Sequence, residues 1–147
     1  MENFYTITEN RVLLAAVIAW FVSQGIKFFT CLIKTRKIRM DRIMGSGGMP
    51  SSHTASVMAA TFSVGELLGY NNPVFGGLMI ISFIVMYDAA GVRMAAGKQA
   101  RAINNIVEAL GSYRLKIDGQ LKELLGHTYM EVLVGAALGI VIALLIN

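Results

Sequence analysis

Two histidines are the only imidazoles in this chain of 147 residues, and each stands where an apolar stretch begins. His53 sits in Gly47-Gly48-Met49-Pro50-Ser51-Ser52-His53-Thr54. Glycine lets backbone approach a ligand closely, Pro50 suits a first helical turn, and Ser51 and Ser52 offer capping hydroxyls. Free N–H groups and the helix dipole make such a start a site for anions. His127 belongs to Gly126-His127-Thr128-Tyr129-Met130-Glu131, with Glu131 four residues on and projecting from the same helix face. A carboxylate there can hold one ring nitrogen and leave the other free as a nucleophile. The third group is Tyr87-Asp88-Ala89-Ala90-Gly91-Val92-Arg93, followed by Gly97-Lys98. Arg93 and Lys98 suit phosphate, the first as a planar fork and the second as a point charge, with Asp88 positioning one of them beside Tyr87. Plainer readings exist for each group: a capped helix with a glycine hinge, an i,i+4 surface pair, and a structural Asp88–Arg93 ion pair.

The elements that must position these residues are membrane helices. Hydrophobic residues make up 55% of the chain and charged residues 15%, well short of the roughly 25% charged in a soluble domain. The deficit falls in segments near the ~20 apolar residues that a crossing needs. Crossings are predicted at about 12–33 (interrupted by Gln24 and Lys27), 54–70, 73–96 and 128–147. The second is rich in Ala, Ser and Gly, and the fourth carries Gly135 and Gly139 at GxxxG spacing, both suited to close helix packing. The fold class is therefore all-α: one membrane domain, a bundle of about four transmembrane helices. A short interfacial helix is expected over 98–110, where Ile103, Ile106 and Val107 recur at helical spacing, and a further helical piece over 120–125. Asn71-Asn72-Pro73 reads as a tight turn. Glu2 and Glu9 precede the first apolar run, where a secretory leader would be basic, so that run is expected to be retained.

The net charge of +4 is concentrated in two loops, 34–53 and 97–127. Two crossings separate them, so they share one membrane side. The positive-inside rule places both in the cytoplasm of a multi-pass protein of the cell membrane. The charge is expected to meet membrane lipids and anions, not nucleic acid. The lone cysteine, Cys31, excludes an intramolecular disulfide. A carboxylate one turn into a membrane helix, as Glu131 would be, is costly without a partner, and this favours a functional His127–Glu131 pair.

Together these motifs resemble the type-2 phosphatidic acid phosphatase and vanadium haloperoxidase superfamily, and more closely its small divergent bacterial and plant branch. Pro50-Ser51-Ser52-His53 is similar to the superfamily's Pro-Ser-Gly-His motif. His127 with Glu131 is similar to the end of its Ser-Arg-x5-His-x3-Asp motif, with glutamate for aspartate. GGMPSSH, YDAAGVR with GKQA, and LGHTYMEVLVGA resemble the divergent branch and span Gly47 to Ala136. The resemblance implies a phosphatase that needs no metal or other cofactor. In it His127 attacks phosphorus, Glu131 orients it, and His53 protonates the leaving alkoxide and then helps activate water. The chain departs from the pattern at two motifs. Seven positions after Lys34 stands Asp41, Arg42 is followed by Ile43, and Gln120-Leu121 occupies the place of Ser-Arg. Phosphate contacts therefore fall to Gly48, Ser51, Ser52, Arg42, Arg93 and Lys98. The expected substrate is a lipid phosphate or pyrophosphate. With fewer helices than the lipid-phosphatase branch, a homo-oligomer would supply missing packing. The rival readings are a non-catalytic protein that binds anionic lipid or serves assembly, and a small transporter suggested by Asp88.

Overall fold

The structure is a computed structural model and describes residues 9–35, 48–109, 121 and 125–147. Among the described residues there are five α-helices: α1 (Arg11–Thr35), α2 (Ser52–Leu68), α3 (Pro73–Tyr87), α4 (Arg93–Ala109) and α5 (Tyr129–Ile146), with a π-helical turn over Asp88–Val92 between α3 and α4. No strand occurs among the described residues. The protein is an all-α membrane bundle, as the composition requires. Among the described residues three runs are long and apolar enough to cross a bilayer: Arg11–Ile33, Pro73–Ala109 and Tyr129–Ile146.

The 17-residue α2 is the axis of the bundle. It packs on α1, α3 and α5, and α1 also packs on α5. Small side chains make this possible. Ala15 and Ala19 of α1, Ala55 and Ala59 of α2, and Ile142 of α5 form one core cluster. The GxxxG pair of α5 lies against α2. A Cβ on Gly135 would fall 2.6 Å from Ser51 O, and one on Gly139 would fall 2.9 Å from Ala59 N and against Ala55 O. Backbone cannot give way as a flexible side chain can. Gly139→Leu is therefore expected to cost about 3 kcal/mol or more, read as a lower unfolding midpoint in detergent. An unchanged midpoint would mean that the two helices do not meet here.

Local signals explain where the helices start. Asn72 caps α3 by accepting Val74 N–H at 2.9 Å, and Pro73 occupies the first turn. Thr128 caps α5 in a capping box closed by Glu131. Tyr70 stacks edge-on against Phe62 and Phe75, and its hydroxyl meets Glu66, which closes the α2–α3 turn. In α3 the buried residue is Ser82, whose hydroxyl lies 2.8 Å from that of Thr61 on α2. Each hydroxyl also returns to a carbonyl of its own helix, Val57 O for Thr61 and Leu78 O for Ser82.

α2 and α5 run parallel. At one end of the bundle Ser51 N–H donates to Glu131 O at 2.9 Å, and at the other Asn147 Nδ2 donates to Ser63 Oγ at 2.8 Å. Hence the start of α2, the start of α5 and the π-turn gather at one end. The helix expected over 98–110 is present to Ala109, but it is not a separate rod. The chain runs from α3 into α4 through the π-turn without a break at Gly97. The piece expected over 120–125 lies mostly outside the described residues.

Candidate active site

His127 stands just before α5 and is only 4% exposed. Its backbone N–H donates to Ala89 O in the π-turn at 2.9 Å. Gly126 makes that approach possible: its φ is +88°, and a Cβ there would lie 2.8 Å from the carbonyl carbon of Arg93 and from Met94 Cα. An L side chain fits neither the dihedral nor the space.

The ring is held by Glu131. His127 Nδ1 lies 3.1 Å from Glu131 Oε2, and the same oxygen accepts Thr128 N–H at 3.1 Å. An ionised carboxylate can only accept, so Nδ1 carries the proton and Nε2 keeps its lone pair. Burial pushes the His127 imidazole below the ordinary histidine value, and the hydrogen bond and charge of Glu131 oppose that shift. The charges of Lys27 and His53 also reach His127 and lower it further. The two imidazoles therefore lie within electrostatic reach of each other.

Lys27 joins them from α1. It is 5% exposed, and Nζ donates to Ser52 Oγ at 3.4 Å. A buried ammonium with one long hydrogen bond to a hydroxyl is poorly compensated. It sits six residues before Ile33, the end of the apolar run, or ~9 Å into the span along the axis. The sequence shows Lys27 only as an interruption of the first apolar segment. The signal that would have singled it out is the general one: a cation within a membrane helix marks a function by default.

The remaining residues divide. Ser52 is buried and faces Lys27. Ser51 is fully buried and occupied by the fold: its hydroxyl accepts from Thr54 N–H and Thr54 Oγ1–H, and its N–H goes to Glu131 O. Gly48 lies at φ +86° with open space around it. His53 is exposed in the first turn of α2, within electrostatic reach of Arg93, Lys27 and Asp88. Arg93 Nε pairs with Asp88 Oδ2 at 2.7 Å. Residues five apart lie on different faces of an α-helix, and the π-turn, whose ring closes at i+5 from Arg93 N–H to Asp88 O, brings these two together. Tyr87 and Lys98 are exposed on either side of that turn. Arg42 lies outside the described residues. No group of three or more His, Cys, Asp and Glu able to hold a metal occurs among the described residues.

Comparison with known proteins agrees with this architecture. The chain is 34% identical to the Bacillus subtilis (strain 168) protein called "Uncharacterized membrane protein YuiD", over 95% of this chain and 96% of that one. No solved structure matches it. Residues 8–142 match the family described as "Divergent PAP2 family", and the chain belongs to that family.

Proposed function

We propose that the protein is a membrane phosphatase that releases phosphate from a lipid phosphate or pyrophosphate through a phosphohistidine. One observation carries this reading: a buried imidazole, oriented by Glu131 through Nδ1, lies within electrostatic reach of a buried lysine that has no ion pair among the described residues and feels only the more distant charge of Glu131. The lysine supplies what the missing arginine motif would have supplied, a fixed positive charge where phosphoryl oxygens gather negative charge. Its depth in the span selects a phosphate delivered with a hydrocarbon tail.

Each step balances. Nε2 of His127 attacks phosphorus, the P–O bond to the lipid alcohol breaks, and protonated His53 gives its proton to the leaving alkoxide. Neutral His53 then takes a proton from water, the resulting hydroxide attacks phosphorus, and the P–N bond breaks to release inorganic phosphate. Lys27, Ser52 and the N–H groups at the start of α2 hold the phosphoryl oxygens, with Arg93 available once phosphate competes with Asp88 for it. The site end of the bundle faces the cytoplasm on this reading, because the basic loops lie there. Maleimide labelling of Lys37→Cys in right-side-out vesicles tests the orientation, and labelling by an impermeant reagent from outside reverses it.

The function is tested on purified protein in mixed micelles without added metal, against phosphatidate, lysophosphatidate, prenyl phosphates and prenyl diphosphates. The expected result is phosphate release from at least one of them, with an acid-labile phosphoenzyme trapped on rapid quench. Binding of these lipids without release would make the site a receptor for lipid phosphate and end the catalytic reading.

A further inference from the structure

Leu121 and the Gly126-His127 pair both dock on one rod. The inner clamp is the contact of Gly126 with Arg93 and Met94, together with the His127 N–H bond to Ala89 O. The outer clamp is made by Asn104 of α4. Leu121 N–H donates to Asn104 Oδ1 at 3.0 Å, and Asn104 Nδ2 donates to Leu121 O at 2.9 Å. The paired bonds match the double exchange between facing residues of antiparallel strands, with a side-chain amide in place of one backbone. An amide suits this task because it offers an acceptor and a donor side by side. Leu121 lies six residues before His127. The rod that receives both clamps is continuous with α3 through the π-turn, so both are referred to the membrane-embedded body of the protein.

We infer that Asn104 is a positioning residue for His127. By pinning Leu121 to α4 it limits how far the chain N-terminal to His127 can move, while the α5 capping box fixes the C-terminal side. With both sides held, the ring stays buried beside Glu131. With the outer clamp open, only the inner clamp and the capping box hold the ring, and it leaves Glu131 more often. The effect on catalysis rests on the proposed role of His127 as nucleophile, whereas the effect on burial does not.

The chain's two histidines allow a direct test, because one is exposed and the other buried. Full-length protein in detergent is treated with diethyl pyrocarbonate, and acylation of His53 and His127 is followed separately by mass spectrometry. In Asn104→Ala, acylation of His127 is expected to speed up about tenfold as the local segment opens, while His53 keeps its wild-type rate. Asn104→Asp retains the acceptor for Leu121 N–H, loses the donor, and should fall between. In the lipid-phosphate assay Asn104→Ala should lower kcat about tenfold at unchanged KM, as a misplaced nucleophile does. An unchanged His127 acylation rate in both variants overturns the proposal whatever the activity. Parallel acceleration of both histidines in both variants overturns it as well, since that is general loosening. Selective exposure of His127 in a protein that releases no phosphate would uphold the clamp and remove the nucleophile reading instead.

Discussion

Replacing His127 by alanine is expected to lower kcat for phosphate release at least about 10³-fold, a loss of ~4 kcal/mol of transition-state stabilisation. On the proposed mechanism His127 makes the protein's one covalent bond to phosphorus, so its loss removes the intermediate altogether. KM should change little, because Lys27 and the α2 start still hold the ground-state phosphate. The phosphoenzyme should vanish with the activity. His53→Ala should cost less, about 10²-fold, as loss of a general acid does. The supporting carboxylate has a signature of its own. Glu131 raises the His127 value against burial, so Glu131→Gln lowers that value further. Neutral His127 then persists to lower pH, and the acid limb of kcat/KM moves down even as kcat falls. A His127→Ala protein that remains folded and releases phosphate at the wild-type rate would end the mechanism. A Glu131→Gln limb that moves up would end the assignment of that limb to His127.

Lys27→Met is expected to move activity and stability in opposite directions. The side chains are similar in length, and the variant removes a charge that the described residues compensate only by one long hydrogen bond to Ser52 and the more distant charge of Glu131. Burying an uncompensated ammonium costs free energy that a thioether does not incur, so the unfolding midpoint in detergent should rise or hold. Phosphate loses its buried cation, and kcat/KM should fall about 10²-fold, the ~2–3 kcal/mol of one charge-assisted contact. The pH profile should also shift. Lys27 lowers the His127 imidazole, so its loss raises that group and moves the acid limb up, opposite to Glu131→Gln. A cation kept for function at a cost in stability is the expected pattern at an active site. Loss of stability with activity intact would make Lys27 a structural residue and leave the phosphate without its buried charge.

What the sequence by itself determined is local. Apolar run length fixed the membrane class, because a crossing needs a set number of residues whatever its neighbours do. The helix start at Ser51 was legible as a cap and the turn at Asn72-Pro73 as a break, because both depend on residues within one turn, while the caps at Asn72 and Thr128 were seen in the structure. The His127–Glu131 contact was legible for the same reason, since four residues bring two side chains together on any helix. Tertiary structure decided what depends on how rods face each other. Lys27 is 25 residues from Ser52, and only the packing of α1 on α2 shows that its ammonium points into the site and not toward the edge of the bilayer. The glycine pair of α5 announced a close contact, but packing alone chose α2 as the partner and so brought Ser51 to Glu131. The π-turn changed the phase of the third rod, which paired Asp88 with Arg93 and set Ala89 O to receive His127. The bond from His127 N–H to Ala89 O joins residues 38 positions apart, which no short-range pattern encodes.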